Sequence, residues 1–231
     1  LSHIHLHASF QKRYSDKNKA VTKIKEIKKE AIINVCENLK SLIKKMEWKP
    51  TGTEWGSYYE DNNNYELETM RSKEQFVSQH FEAISPNLVW DLGANTGNFS
   101  RICSSKSALT ISFDVDPACV EINYLKMRDK NEEFLLPLLL DLTNPSPAIG
   151  WSNDERQSIY QRRNPQLILA LALVHHLVIS NNIPMLKIAK LFSKISRHLI
   201  IEFVPKNDSQ VKKLLSSRED IYHDYKKETF E

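Results

Sequence analysis

Asp91, Asp114 and Asp141 each close an apolar run, in VWDLGANTGNFS, ALTISFDVDP and FLLPLLLDLTNP. An acid at the end of a buried strand is a hydrogen-bond acceptor held at a fixed place. The first of the three is followed at once by Gly93-Ala94-Asn95-Thr96-Gly97, and a new amphipathic segment begins at Asn98. A loop with two glycines brings bare backbone and a helix N-terminus against a ligand, because glycine has no Cβ to hold the ligand off. Asp114 follows Gly93 by twenty-one residues, where an ionised carboxylate suits the paired hydroxyls of a ribose. Asp141 can accept from the exocyclic amine of adenine, with a simple turn acid as the alternative. Asp116, just before Pro117, reads as the cap of the next helix. Together the loop and the two later acids describe an adenosine site.

The same loop limits what else the ligand carries. A dinucleotide site calls for GxGxxG, whereas this run is GANTG followed by Asn98 and Phe99, and no GxxxxGK[ST] lysine is present for a nucleoside triphosphate. A ligand with ribose and adenine but no phosphate remains.

These residues need a scaffold that presents strand ends side by side. Apolar runs predict strands at 88–91, 109–114, 134–140, 167–171 and 199–203, and helices are expected from about Asn98, Pro117, His175 and Asp208, with another from Pro184 to Ser196. Strands alternating with helices and carrying unbroken apolar runs belong in a parallel sheet covered on both faces. The fold class is therefore α/β, a doubly wound, mostly parallel, Rossmann-like sheet whose ligand crevice lies beyond the carboxyl ends of the strands.

Composition bounds the rest. The chain has 231 residues, 41% of them hydrophobic and 26% charged, ordinary for a globular protein. No apolar run approaches the ~20 residues of a membrane span. Cys36, Cys103 and Cys119 show neither a disulfide framework nor a zinc spacing, so a reducing cytoplasm is the expected compartment. Residues 11–50 hold twelve Lys and Arg against five Asp and Glu, a basic arm on a mildly acidic body. Val21, Ile24, Ile27, Ala31, Val35, Leu39, Leu42 and Ile43 give that arm an amphipathic helix. A lysine face on a packed helix is the plainer reading and an RNA-binding surface the other. The expected organisation is a basic helical arm over 1–50, a lid or linker with an aromatic loop over 51–86, and the ligand-binding core over 87–231.

At this point the motifs resemble a family, the class I S-adenosylmethionine-dependent methyltransferases. VWDLGANTGNFS is similar to their first motif, D/ExGxGxG, with Asn95 in place of the middle glycine; FDVDP is similar to the second-strand acid and LLLDLTNP to the third-strand contact. The resemblance covers residues 88 to about 205. It implies that Asp91, Gly93 and Gly97, with Ala94 and Asn95 between them, cradle the methionine part. It also implies that Asp114 beside Val115 holds the ribose and that Asp141 beside Leu142 holds the adenine amine. TEWGSYY, DLTNPSPAIGW, LALALVHHL and IIEFVPKNDSQV resemble a little-characterised bacterial branch labelled nodulation-related. That family's sheet normally ends in an antiparallel hairpin, and the sequence reaches YKKETFE before one is expected, so the hairpin is expected to be absent and the core incomplete at its C-terminus.

A sulfonium methyl is already activated, so the enzyme must align the reactants and, for some acceptors, remove a proton. His175 and His176 follow the fourth strand, where one of them can serve as base near neutral pH; adjacent helical positions diverge, so one alone, His175, is expected to face the cleft. Packing and capping at a helix start is the alternative. Glu202, inside the apolar LIIEFVP, is costly to bury without a purpose and is the next catalytic candidate, with a structural network as its alternative. Trp55, Tyr58 and Tyr59 are expected to close over the cofactor, since aromatic faces attract a sulfonium, or else to plug the space between arm and body. His3, His5 and His7 in HIHLH have no carboxylate or cysteine close by, and no metal is expected. The acceptor is expected to be a small molecule or sugar, with RNA, or binding without catalysis, left open; no membrane partner is expected.

Overall fold

The structure of the chain, a computed structural model, describes residues 28–50 and 67–231 together with Ser9 and Thr53. The chain divides into two compact units, Leu1–Lys49 and Pro50–Glu231. In the first, helix α1 (Lys29–Lys44) has no buried residue, and Ile33, Leu42 and Ile43 are exposed. The predicted helical positions Val21, Ile24 and Ile27 lie outside the described residues, as do Trp55, Tyr58, Tyr59 and the three histidines of HIHLH. Among the described residues no helix is long and apolar enough to cross a membrane.

The second unit is built on one sheet of five parallel strands: β1 (Leu88–Leu92), β2 (Leu109–Asp114), β3 (Leu135–Leu139), β4 (Leu167–Ala170) and β5 (His198–Ile201). Their order is β3-β2-β1-β4-β5. β1 is central, which explains why all five of its residues are buried and why LVWDL reads as an unbroken apolar run. Successive side chains alternate between faces. Leu88, Trp90, Leu92, Ile168 and Ala170 enter one core, whereas Val89, Leu167 and Leu169 enter the other. The first core is covered by α5 (Met185–Ile195) and α6 (Ser209–Leu215), which bring Ile188, Phe192 and Val211. The second is covered by α2 (Leu67–Ile84) and α3 (Asn98–Ser104), which bring Val77, Phe81, Phe99 and Cys103. Helix α4 (Pro117–Asp129) starts at the expected cap: the Asp116 side chain accepts from the Ala118 N–H, and Pro117, whose missing N–H is no loss there, is its first residue.

The chain builds β1, β2 and β3 outward in one direction and then returns to place β4 on the other side of β1. That reversal leaves a crevice beyond the carboxyl ends of β1 and β4, the place where doubly wound sheets bind ligands. Two elements differ from the sequence reading. Residues 67–84, expected within a lid or linker, form α2, whose Val77 and Phe81 are buried against the sheet. The helix expected from about His175 starts at Val174 and continues as a π turn, His176–Ser180, closed by the Asn181 N–H on the His176 carbonyl at 3.1 Å. It cannot run on, because Asn182 takes a left-handed φ of 56° and Pro184 then opens α5. After β5 the described chain forms α6 and the short α7 (Lys227–Phe230), with Tyr225 buried and its hydroxyl donating to the Val204 carbonyl at 2.7 Å.

Candidate functional site

The carboxyl ends of the central strands open into a cavity of about 390 Å³. Its wall includes Asp91, Gly93, Ala94 and Asn95 from the first loop, Asp114 and Val115 after β2, Asp141 and Leu142 after β3, and both His175 and His176 after β4. The fold thus brings to one place residues that the sequence spreads over more than eighty positions.

The glycine loop is fixed from both sides. The N–H groups of Gly93 and Ala94 both reach the Phe113 carbonyl at 2.9 Å, and the Asn95 N–H donates to Asp114 Oδ2 at 2.7 Å. Gly93 has φ of 73°, and a Cβ there would stand 3.1 Å from Leu173 Cδ1 on the β4 loop. Gly97 has φ of 78° and lies so close to Asn123 that a Cβ would overlap its amide, so these two positions use the conformational range that only glycine has without strain. Gly97 does not line the cavity; it turns the chain into α3. Arg101 braces the turn. It pairs with Glu132 and donates to the carbonyls of Thr96 and Gly97 at 2.8 and 3.1 Å.

The three acids differ in surroundings. Asp91 is 2% exposed, and burial raises its carboxyl to about 7, although Ser100 donates to it at 2.5 Å and Lys73 exerts an opposing pull. Behind it the Ser112 hydroxyl donates to Ser100 at 2.7 Å, a short buried polar chain. Burial also raises Asp114, which keeps its two oxygens oriented by the N–H groups of Asn95 and, at 2.8 Å, Asp116. Asp141 is exposed and held below the usual carboxylate range by Thr143, whose hydroxyl and N–H both donate to Oδ1.

At the other end both histidines line the cavity, not one. The π turn changes the angular spacing that a regular helix would impose, and the two rings stack with centroids 4.1 Å apart. His175 is 3% exposed and its Nδ1 has no hydrogen-bond partner, whereas His176 is half-buried. Burial, His176 and Lys73 push His175 down to about 3, and burial pushes His176 down to about 4. Both rings are therefore neutral across the physiological range. Ser180, Asn181, Gln210 and Leu214 complete this end.

Glu202 does not line the cavity; its carboxylate receives the Lys73 ammonium and, at 2.8 Å, the Ala172 N–H. Lys73 and Met70, from α2, are cavity residues that sequence reasoning missed. Met70, Val77, Phe81 and Ile84 lie at helical intervals in LETMRSKEQFVSQHFEAI and are the signal that could have found the helix.

No family model matches the chain. It is 38% identical over 173 residues to nodulation protein NoeA of Rhizobium meliloti (strain 1021), a match that spans 74% of this chain and 36% of that protein's length. Among solved structures it is similar to the bifunctional kinase-methyltransferase WbdD, at 17% identity and a TM-score of 0.45, over 74% of this chain and 36% of that one. It is also similar to an S-adenosylmethionine-dependent methyltransferase from Clostridium acetobutylicum ATCC 824, at 16% identity and a TM-score of 0.42, over 71% of this chain and 54% of that one.

Proposed function

We propose that the chain is an S-adenosylmethionine-dependent methyltransferase that acts on an uncharged, hydroxyl-bearing small molecule or sugar. The observation that carries this reading is a single cavity that joins the acids closing β1, β2 and β3 to a pair of neutral histidines. Asp114 offers a fixed carboxylate for the ribose hydroxyls, and Asp141 has Oδ2 outside its two Thr143 bonds for the adenine amine. Asp91 and the backbone of Gly93 and Ala94 take the amino-acid part. S-adenosylmethionine supplies an electrophilic methyl group on a sulfonium sulfur. The protein's work is to hold an acceptor oxygen in line with it and to exclude water.

His176, the more accessible ring, takes the proton of the acceptor hydroxyl. Its low basicity is no obstacle. An oxygen gaining a methyl group holds its proton far more weakly than an imidazolium does, so a neutral, depressed imidazole still removes it. His175 stacks behind it, and its additional burial suits packing better than proton transfer. Among the described residues at this end, Leu177, Ser180, Asn181, Gln210 and Leu214 carry no charge. An end of the cavity without lysine, arginine or carboxylate supports a neutral acceptor over a polyanion such as RNA, whose phosphates call for cations. The compartment is taken to be the cytoplasm, where the three free cysteines stay reduced. The test is transfer of labelled methyl from S-adenosylmethionine into a cell extract, fractionated into RNA, protein and small molecules. Label in an uncharged small-molecule fraction is the expected result, and label confined to RNA overturns the acceptor reading.

A further inference from the structure

A second, smaller hollow of about 140 Å³ adjoins the main cavity, and the two share Leu142 and Leu177 in their walls. Its origin is the short connection after the π turn. The Ile183 N–H donates to the Leu177 carbonyl at 3.0 Å and Asn182 is left-handed, so the chain turns tightly before Pro184 opens α5. Ile183 and one face of α5 then complete the wall, with Ile188, Leu191 and Phe192 at helical intervals. Among the described residues of this wall Lys187 alone is polar. It is exposed, which suits a stem laid along apolar surface with its ammonium in water.

Size and lining define the guest. An apolar cavity of about 150 Å³ walled by Leu, Ile and Phe stays dry and takes one molecule of benzene. The hollow also lies where an acceptor needs room. Leu177 directly follows His176, and Ser180, Asn181 and Gln210 offer neutral polar groups in the adjoining cavity. Small-molecule sites span roughly 300–1,000 Å³, so a main cavity of about 390 Å³ is small for two reactants at once.

Resting on the reading that the main cavity is a methyltransferase site, we propose that the hollow binds an apolar group of the methyl acceptor, the size of a benzene ring, while the acceptor hydroxyl stands at His176. The acceptor is then amphiphilic: an alcohol or glycoside bearing a ring-sized apolar substituent, and not a bare sugar. Burial of such a group raises affinity by about ten- to a hundredfold.

Two measurements test this. In the first, the Leu and Ile methyl resonances are followed as benzyl alcohol is added to the chain. Those of Leu142, Leu177, Ile188 and Leu191 are expected to shift and saturate together. Leu191→Phe and Ile183→Phe fill the hollow from opposite walls, lie outside the main cavity, and should each weaken benzyl alcohol by about tenfold or more, with affinity for S-adenosylhomocysteine unchanged. The methyl spectrum itself reports which variant is folded. Shifts confined to other residues, or equal binding by the wild type and a folded variant, overturn the assignment. In the second, the labelled methyl product from the extract is run on a reversed-phase column. Retention with aromatic alcohols and glycosides, and a transfer rate about ten- to a hundredfold lower in the folded variant, are expected; elution with free sugars overturns the acceptor class. A chain that binds benzyl alcohol but not S-adenosylhomocysteine removes the cofactor reading, and the acceptor role of the hollow with it.

Discussion

The two ends of the cavity are made in different ways. The end to which we assign the cofactor consists of backbone and acids at and directly after β1, β2 and β3, and its Asn95 N–H contact on Asp114 spans 19 residues. The acceptor end consists of neutral side chains on a π turn and α6. It is held from a distance: Arg218 and Tyr222 both donate to the Ile179 carbonyl, across 39 and 43 residues. On the proposed reading, charge at one end and neutrality at the other separate the tasks of holding an adenosine and presenting an acceptor. If that division is right, mutations at the two ends should affect different measurements.

The largest effect is expected at the acceptor end. His176→Ala should lower turnover by about a hundred- to ten-thousandfold, the usual worth of a positioned base, with cofactor affinity unchanged by calorimetry. His175→Ala should cost thermal stability first. Equal losses of turnover in both would make the stacked pair one unit. At the other end, Asp114→Ala should weaken S-adenosylhomocysteine by about a hundred- to ten-thousandfold through loss of two bonds to a charged acceptor. Unchanged affinity in that variant would end the adenosine assignment.

The ends should also respond to pH with opposite signs. Burial lifts Asp91 from 3.8 to about 7, so in that interval the folded chain keeps a proton that the unfolded chain has lost. Its contribution to stability falls as pH rises through the interval and is flat above it. His175 and His176, lowered from 6.5 to about 3 and about 4, do the reverse: their contribution is lost as pH falls below 6.5. Asp91→Asn should raise the melting temperature at pH 8, and a His175→Gln, His176→Gln pair should flatten the acid side of the stability profile. Ammonium binding favours the ionised acid, so cofactor affinity should rise several-fold between pH 6 and pH 8 and lose that dependence in Asp91→Asn. The smallest effect is expected from Tyr222→Phe. It removes a hydroxyl bonded to the Ile179 carbonyl at 2.8 Å and should cost about 1 kcal/mol in denaturant unfolding.

The same contrast explains what could be read in advance. The strands and the residues from Asp91 to Asp141 were legible because each signal is local: an apolar run, a terminal acid, a glycine loop, a capping Asp116 before Pro117. Lys73 was not, since a lysine on an amphipathic helix looks like any solvated charge until the fold lays α2 beside the cavity and Glu202 meets it from 129 residues away. The histidine pair was found by its place after β4, but its geometry was not. A π turn has no compositional mark and depends on what clamps its carbonyls. Glu202 was recognised as an anomaly in an apolar strand, and its partners came only with the third dimension.

The Ile179 carbonyl has a consequence for how the protein is made. Chains emerge from synthesis N-terminus first and fold as their parts become available. The glycine loop and Asp114 can find each other once β2 has emerged, whereas the π turn waits for Arg218 and Tyr222, and Tyr225 must still reach Val204. A nascent chain therefore assembles the glycine-loop end of the cavity well before the histidine end, and a ligand that binds the first end alone would stabilise the partly folded chain while the rest arrives.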